Sequence, residues 1–398
     1  MYLTIMKPEV LQDVASLGRG LWIVEGPDGP ALVVKAGKEF ILAAREKREL
    51  KFYLAPYESD EAQGLTLLTA CFDDPISPLT IKTPLMGSDP FTEGLKSLPD
   101  RFSVCFFDEH NRELLSNTAH ASLEGLRKCV KGVNPLEKEH WHLMMDQADA
   151  WFSFTTREDD SRAVTLTLLE DLFPSDFLIT DLTRQGFQGS RGFSNTHLER
   201  PEPGHLQELD IIYLLQRAYS AEQIIHGPVK VSDGEELTDA VVLGAEVTLL
   251  LQAKDSPNTA EMMGTKLERK RKKALSQLKG GLSQLRGAVS TIEREGNPAL
   301  RLVDGTPLKI DLAARPLVGV VVVKELFSDT YEEYGAMILD FMDDVGVRVL
   351  AFDYNEFEVM TRHCPSEQAL LSAFWQISEC AVEQRIYPRL RFTELPPR

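Results

Sequence analysis

The stretch "ELTDAVVLGAEVTLLLQAKDS", residues 236–256, decides how this 398-residue chain is read. Two apolar runs lie on either side of Gly244, Ala245 and Glu246, the pattern of two strands joined by a tight turn. Asp239 stands at the start of the first run, and Gln252 and Lys254 close the second. A turn centred on Ala245 and Glu246 sets Asp239 opposite Gln252, because paired positions in a hairpin share one index sum. A turn shifted by one residue moves the partner to Leu250. Side chains alternate along a strand, so Gln252 and Lys254 project together while Ala253 faces away.

Just upstream, "HLQELDIIYLLQRAYSAEQI" carries Leu209, Ile212, Leu215 and Tyr219 at helical spacing, with Glu208 at the head of the same stripe. An acid on that face needs a partner. Asp239, Gln252 and Lys254 can therefore converge at one end of the hairpin, and Glu208 can join them from the helix. Phosphodiester hydrolysis needs such a set. Carboxylate and carbonyl oxygens suit Mg²⁺, and a lysine ammonium can steady charge growing on a phosphate. Taken singly, Asp239 reads as a turn residue, Lys254 as a strand-end lysine reaching water, and Glu208 as a first-turn acid.

Together, "GHLQE", "SDGEELTDAVVLG" and "LLLQAKDS" resemble the helix-acid, strand-acid and Q-x-K signature of the PD-(D/E)XK nuclease superfamily, in its Mrr-like branch. The resemblance covers about residues 204–290. It implies Asp239 and Gln252 as ligands of Mg²⁺ or Mn²⁺, Lys254 as the catalytic lysine and Glu208 as an accessory acid. The commoner pattern has an acid where this chain has Gln252, which ligates through a neutral carbonyl. The fold implied is a restriction-endonuclease-like α/β domain, a central mixed sheet flanked by helices. The activity implied is metal-dependent cleavage of nucleic acid, DNA before RNA, in restriction or defence. The alternative is a module that kept this fold without catalysis and binds nucleic acid or a protein partner.

A basic helix follows, "TKLERKRKKALSQLKGGLSQLRGAVSTIE". Lys266, Arg269, Lys270, Lys272 and Lys273 crowd its start beside a single acid, Glu268, in a chain of net charge -18. Such a patch is expected to contact a phosphate backbone, and a solvated helix face is the plainer reading. Later strands at "PLVGVVVVKE" and "VRVLAFDY" are apolar on both faces, as a sheet covered on both sides requires.

Residues 1–185 show short apolar runs and two helical segments, the pattern of an α+β domain of unassigned role. "RQGFQGSRGFSNTHLERPEPG" has neither periodicity, so residues 186–203 are expected to be a linker and 204–398 the nuclease-like domain. The five cysteines are widely spaced with no C-x-x-C, so neither a disulfide framework nor a zinc knuckle is indicated. His140 and His142 lack a third ligand nearby, "FFDEHNRE" reads as a hairpin turn, and no phosphate-binding loop or nucleophile elbow is present. No apolar run is long enough to span a membrane and no signal-peptide pattern is seen, so a cytoplasmic location is expected, with homo-oligomerisation left open.

Overall fold

The computed structural model describes residues 2–75, 77–87, 89–137, 139–155, 157–174 and 176–388. The last ten residues of the span expected for the nuclease-like domain, 389–398, lie outside the described residues. The chain is a mixed α/β protein built on two large sheets. No described helix is long and apolar enough to cross a membrane.

The first sheet contains β1 (Gly20–Gly26), β2 (Gly29–Lys35), β3 (Glu49–Glu58), β4 (Gln63–Cys71), β5 (Leu79–Leu85), β6 (Arg101–Phe107), β7 (Glu113–Ala121) and β8 (Val164–Asp171). Their order is β1-β2-β6-β7-β8-β3-β4-β5, antiparallel except where β2 runs beside β6. The sheet curls until its first and last strands approach, where the Leu21 amide donates to the Thr83 hydroxyl at 3.2 Å. Helix Lys38–Lys47 buries Phe40, Ile41, Leu42, Ala43 and Ala44 in the same core.

Two short strands, β9 (Ile179–Asp181) and β10 (Ser194–Thr196), pair with each other before the second sheet begins. That sheet holds β11 (Ile224–His226), β13 (Ala240–Leu243), β14 (Thr248–Lys254), β17 (Leu317–Val323) and β18 (Arg348–Asp353), in that order. β11, β13 and β14 are antiparallel neighbours, while β14, β17 and β18 run parallel. The parallel steps need long crossovers, supplied by helices Leu267–Glu295 and Tyr331–Val345. Three two-residue strands, β12 (Val229–Lys230), β15 (Leu300–Arg301) and β16 (Pro307–Leu308), make a small side sheet.

The long helix lies very close to the sheet. A Cβ on Gly281 would come within 2.6 Å of Val321 Cγ1, and one on Gly319 within 2.9 Å of Leu285 Cδ1, so glycine at both positions is what lets helix and strand approach. Both edges of this sheet are covered. Gln188 bridges β11, its amide donating to Ile224 O and its carbonyl accepting from His226, each at 2.9 Å. At the other edge the Tyr387 hydroxyl accepts from the Ala351 amide at 2.9 Å and donates to its carbonyl at 3.0 Å.

Residues 186–203, expected to be a linker, are docked. Phe187 is buried in the core of the second sheet and Leu198 in that of the first. The sequence hid this because each core takes one large apolar side chain from the segment, and one residue makes no period.

The "FFDEHNRE" segment is a turn between β6 and β7, yet Asp108, Glu109, His110 and Arg112 are all buried. They meet Asp210, from helix Gly204–Leu215, in an ion cluster joining the two halves. Asp210 receives Arg112 Nη2 at 2.8 Å, Arg200 Nη1 at 2.8 Å and Lys38 Nζ at 3.1 Å. Burial alone would raise the Asp210 carboxyl, but these cations outweigh it and hold it well below the usual carboxylate range.

A buried charge stripped of its partner is costly, so Asp210→Ala, which leaves Arg200 without an ion partner among the described residues and takes one carboxylate from Lys38 and Arg112, is expected to lower unfolding free energy by about 3–5 kcal/mol. The Asp210 contribution is present above the ordinary aspartate pKa and fades as pH falls toward its depressed folded value. The penalty of Asp210→Ala should therefore shrink in acid. Urea unfolding of both proteins at neutral and acid pH measures this, and an unchanged neutral midpoint would refute it.

Candidate functional site

The β13–β14 hairpin closes through a turn at residues 244–247, with the Gly244 amide donating to Val247 O at 3.0 Å. Its register pairs Ala240 with Leu251 and Val241 with Leu250, so the next pair outward is Asp239 with Gln252. Asp239 lies just before β13 and Lys254 ends β14.

The three side chains meet. Lys254 Nζ donates to Gln252 Oε1 at 3.1 Å and lies 3.6 Å from Asp239 Oδ2. The same Asp239 oxygen accepts from the Ala253 amide at 2.6 Å. Thr238 fixes the orientation of the glutamine. Its hydroxyl donates to Leu251 O at 2.6 Å, leaving it only an acceptor role toward Gln252 Nε2 at 3.1 Å. The amide nitrogen is thereby held by Thr238, and the carbonyl oxygen faces Lys254.

Glu208 approaches from its helix but turns its carboxylate toward imidazoles. Glu208 Oε2 is 2.8 Å from His226 Nε2 and 3.8 Å from His205 Nδ1. Burial would raise Glu208, but the two histidines outweigh it and hold the carboxyl at about 2. The sequence reading passed over three members of this group. His205 stands one helical turn before Glu208, His226 ends β11, and Glu236 lies three residues before Asp239. The H-x-x-E spacing at 205–208 was the one local signal; His226 and Glu236 arrive through strand pairing that no local pattern encodes.

Charge is strained here. Glu236 presents an exposed surface, yet partial desolvation of its carboxyl, then the neighbouring Asp239 and Glu208 carboxylates, push it up to about 7, while Lys254 works against them. Asp239 is also raised, chiefly by burial, with Lys254 and the Ala253 amide opposing. Crowded oxygen donors facing one lysine are a donor set that fits a hard divalent cation.

The basic helix is partly committed elsewhere. Lys270 lies 3.7 Å from Asp73 in the first half, Lys272 pairs with Glu268 at 2.8 Å, and Arg271 pairs with Asp329. Lys266, Arg269 and Lys273 have no ion partner among the described residues. His140 and His142 sit on a helix, His140 Nδ1 lying 2.7 Å from the Tyr57 hydroxyl. A cleft of about 300 Å³ opens between the halves beside the carboxyl ends of β14, β17 and β18. It is lined by Lys38, Glu39, Asp255, Lys324, Glu325 and Tyr354, among others. Burial raises Asp255 to about 6, and Glu325, though its surface is exposed, is pushed up to about 7 by desolvation of its carboxyl and by the nearby Glu39 and Asp353 carboxylates.

Comparison of the chain with protein-family models, curated proteins and solved structures finds no match to any of them.

Glu236 should titrate with a midpoint about 7, and Asp239→Asn should move that midpoint down toward the usual glutamate range. Because the folded value exceeds the unfolded one, this group stabilises the fold only in acid, and that contribution is lost as pH rises through about 7. Carbon-13 NMR of the labelled carboxyl reads the shift. An ordinary midpoint in the wild type would mean that the acids do not crowd.

Proposed function

We propose that residues 204–398 are a metal-dependent nuclease of the PD-(D/E)XK type, Mrr-like in carrying Q-x-K, and that the substrate is nucleic acid, DNA before RNA. The observation that carries this reading is the fixed glutamine: Thr238 holds its amide nitrogen, and its carbonyl oxygen meets Lys254, the same ammonium that lies 3.6 Å from Asp239. The strand order supports it too, with an acid-bearing hairpin followed by a long helix and a parallel strand.

Asp239 and Gln252 would hold Mg²⁺ or Mn²⁺. When bound, that ion supplies Lewis-acid polarisation of a phosphodiester and a water of lowered pKa. The chain's own residues do the remaining work. Lys254 stands at the open end of the strand, where its charge stabilises that gathering on the phosphate oxygens. Lys266, Arg269 and Lys273 supply cations for the backbone, and Lys272, whose pair with Glu268 is exposed, joins them at small cost. Lys270 has its partner in the first half.

One observation favours the second reading, a binding module without catalysis. Lys254 already occupies the space between the two proposed ligands, donating to the Gln252 carbonyl and pairing with Asp239.

Lys254→Ala is expected to abolish cleavage with the fold intact, and Gln252→Glu to keep activity and tighten Mg²⁺ binding by adding an anionic oxygen. Supercoiled plasmid and labelled RNA incubated in Mg²⁺ or Mn²⁺ test this. A wild type that cuts neither and takes up no metal, beside a Gln252→Glu protein that gains metal, establishes the binding module instead. Replacing Lys266, Arg269 and Lys273 together should lower the slope of log affinity against log salt by roughly 0.9 per lost contact on duplex DNA. An unchanged slope would mean that the helix faces away from the ligand.

A further inference from the structure

Two imidazoles and a carboxylate, carried by one helix and one edge strand, meet beside the second sheet. His205 and Glu208 stand one turn apart at the start of helix Gly204–Leu215, so they share a face. His226 reaches them from β11, whose register sets it beside Ala240. One ligand atom from each of the three lies within 4.8 Å of the others. The two histidine rings stack with centroids 5.4 Å apart.

We propose that His205, Glu208 and His226 form a binding site for a divalent transition-metal ion of the zinc class. The proposal goes beyond the nuclease reading and stands without it, since Asp239 and Gln252 contribute no ligand.

The donor chemistry selects the ion. Two nitrogens and one oxygen suit Zn²⁺ and its neighbours, whereas Mg²⁺ wants oxygen throughout. Metal bonds of about 2.0–2.1 Å bring neighbouring ligand atoms to roughly 3.3 Å. Glu208 and His226 need to separate slightly from 2.8 Å, and His205 needs to close from 3.8 Å. The larger movement falls on His205, whose side chain is 53% exposed. Three protein ligands leave one position open to water or a substrate oxygen, as in His₂Glu zinc sites.

The other cluster of this kind, Glu109, His110 and Asp210, makes a useful contrast. It is fully buried and already holds Lys38 and Arg112 among its carboxylates, so no charge is left for an ion. The His205 trio has no lysine or arginine within ion-pair distance among the described residues.

The test is titration of the full-length protein, stripped of metal by a chelator, with Co²⁺ read by visible absorption and with Zn²⁺ read by calorimetry. Wild type should bind at least one equivalent with a cobalt d–d band. His205→Ala should weaken binding at least about tenfold, since even second-shell losses at metal sites cost that much. His226→Gln keeps a hydrogen-bond donor for Glu208, so a merely structural histidine is rescued by it, whereas the metal should be lost with the fold intact by circular dichroism. Asp239→Asn should retain the band. A wild type without the band overturns the site, as does a His226→Gln protein that binds like wild type. Loss of cobalt in Asp239→Asn but not in His226→Gln also overturns it, and leaves the Asp239 and Gln252 pair as the metal-binding centre.

Discussion

Asp210 is a carboxylate removed from water, and the arrangement of both halves follows from the need to surround it. An isolated ion there would cost several kcal/mol, so cations must be delivered from wherever the chain can supply them. Arg112 comes from a turn of the first sheet, Lys38 from the first long helix and Arg200 from the joining segment. Asp210 belongs to the helix that carries His205 and Glu208, so the same contacts fix that helix against the first sheet. The orientation of the candidate site therefore depends on residues that never approach it.

At the site itself the balance runs the other way. Glu236 and Asp239 are both raised by desolvation, with Lys254 the cation that opposes it for each. Local order is nonetheless tight, because Thr238, Gln252, Leu251 and Ala253 are tied by main-chain and side-chain hydrogen bonds. Rigid donors with unbalanced charge are what preorganised binding of a cation requires.

The hairpin was legible because its information is local: the turn residues set the register, and the register sets which side chains face each other. Asp239, Gln252 and Lys254 meet for that reason. The first sheet's order was not legible, since β3 pairs with β8 across more than a hundred residues and nothing in either strand names its partner. The joining segment was misread for a related reason. Phe187 and Leu198 are isolated anchors for two different cores, and Arg200 is buried against an acid, Asp210, that lies on another element. Lys270 shows the limit of charge patterns, since a helix rich in cations does not reveal that one of them faces Asp73.

The coverings at the two edges of the second sheet bear on how copies of the chain can meet. An open edge strand presents unpaired amides and carbonyls on which another chain can template itself, the usual route to strand-swapped dimers and fibrils. Here Gln188 takes the main-chain groups of β11, and the Tyr387 hydroxyl, a side chain standing in for a missing neighbour, occupies both polar groups of Ala351. A tyrosine hydroxyl can satisfy one residue of a ladder but cannot continue it. Growth of this sheet from one molecule into the next is stopped at these residues, which leaves side-chain surfaces as the ground for self-association.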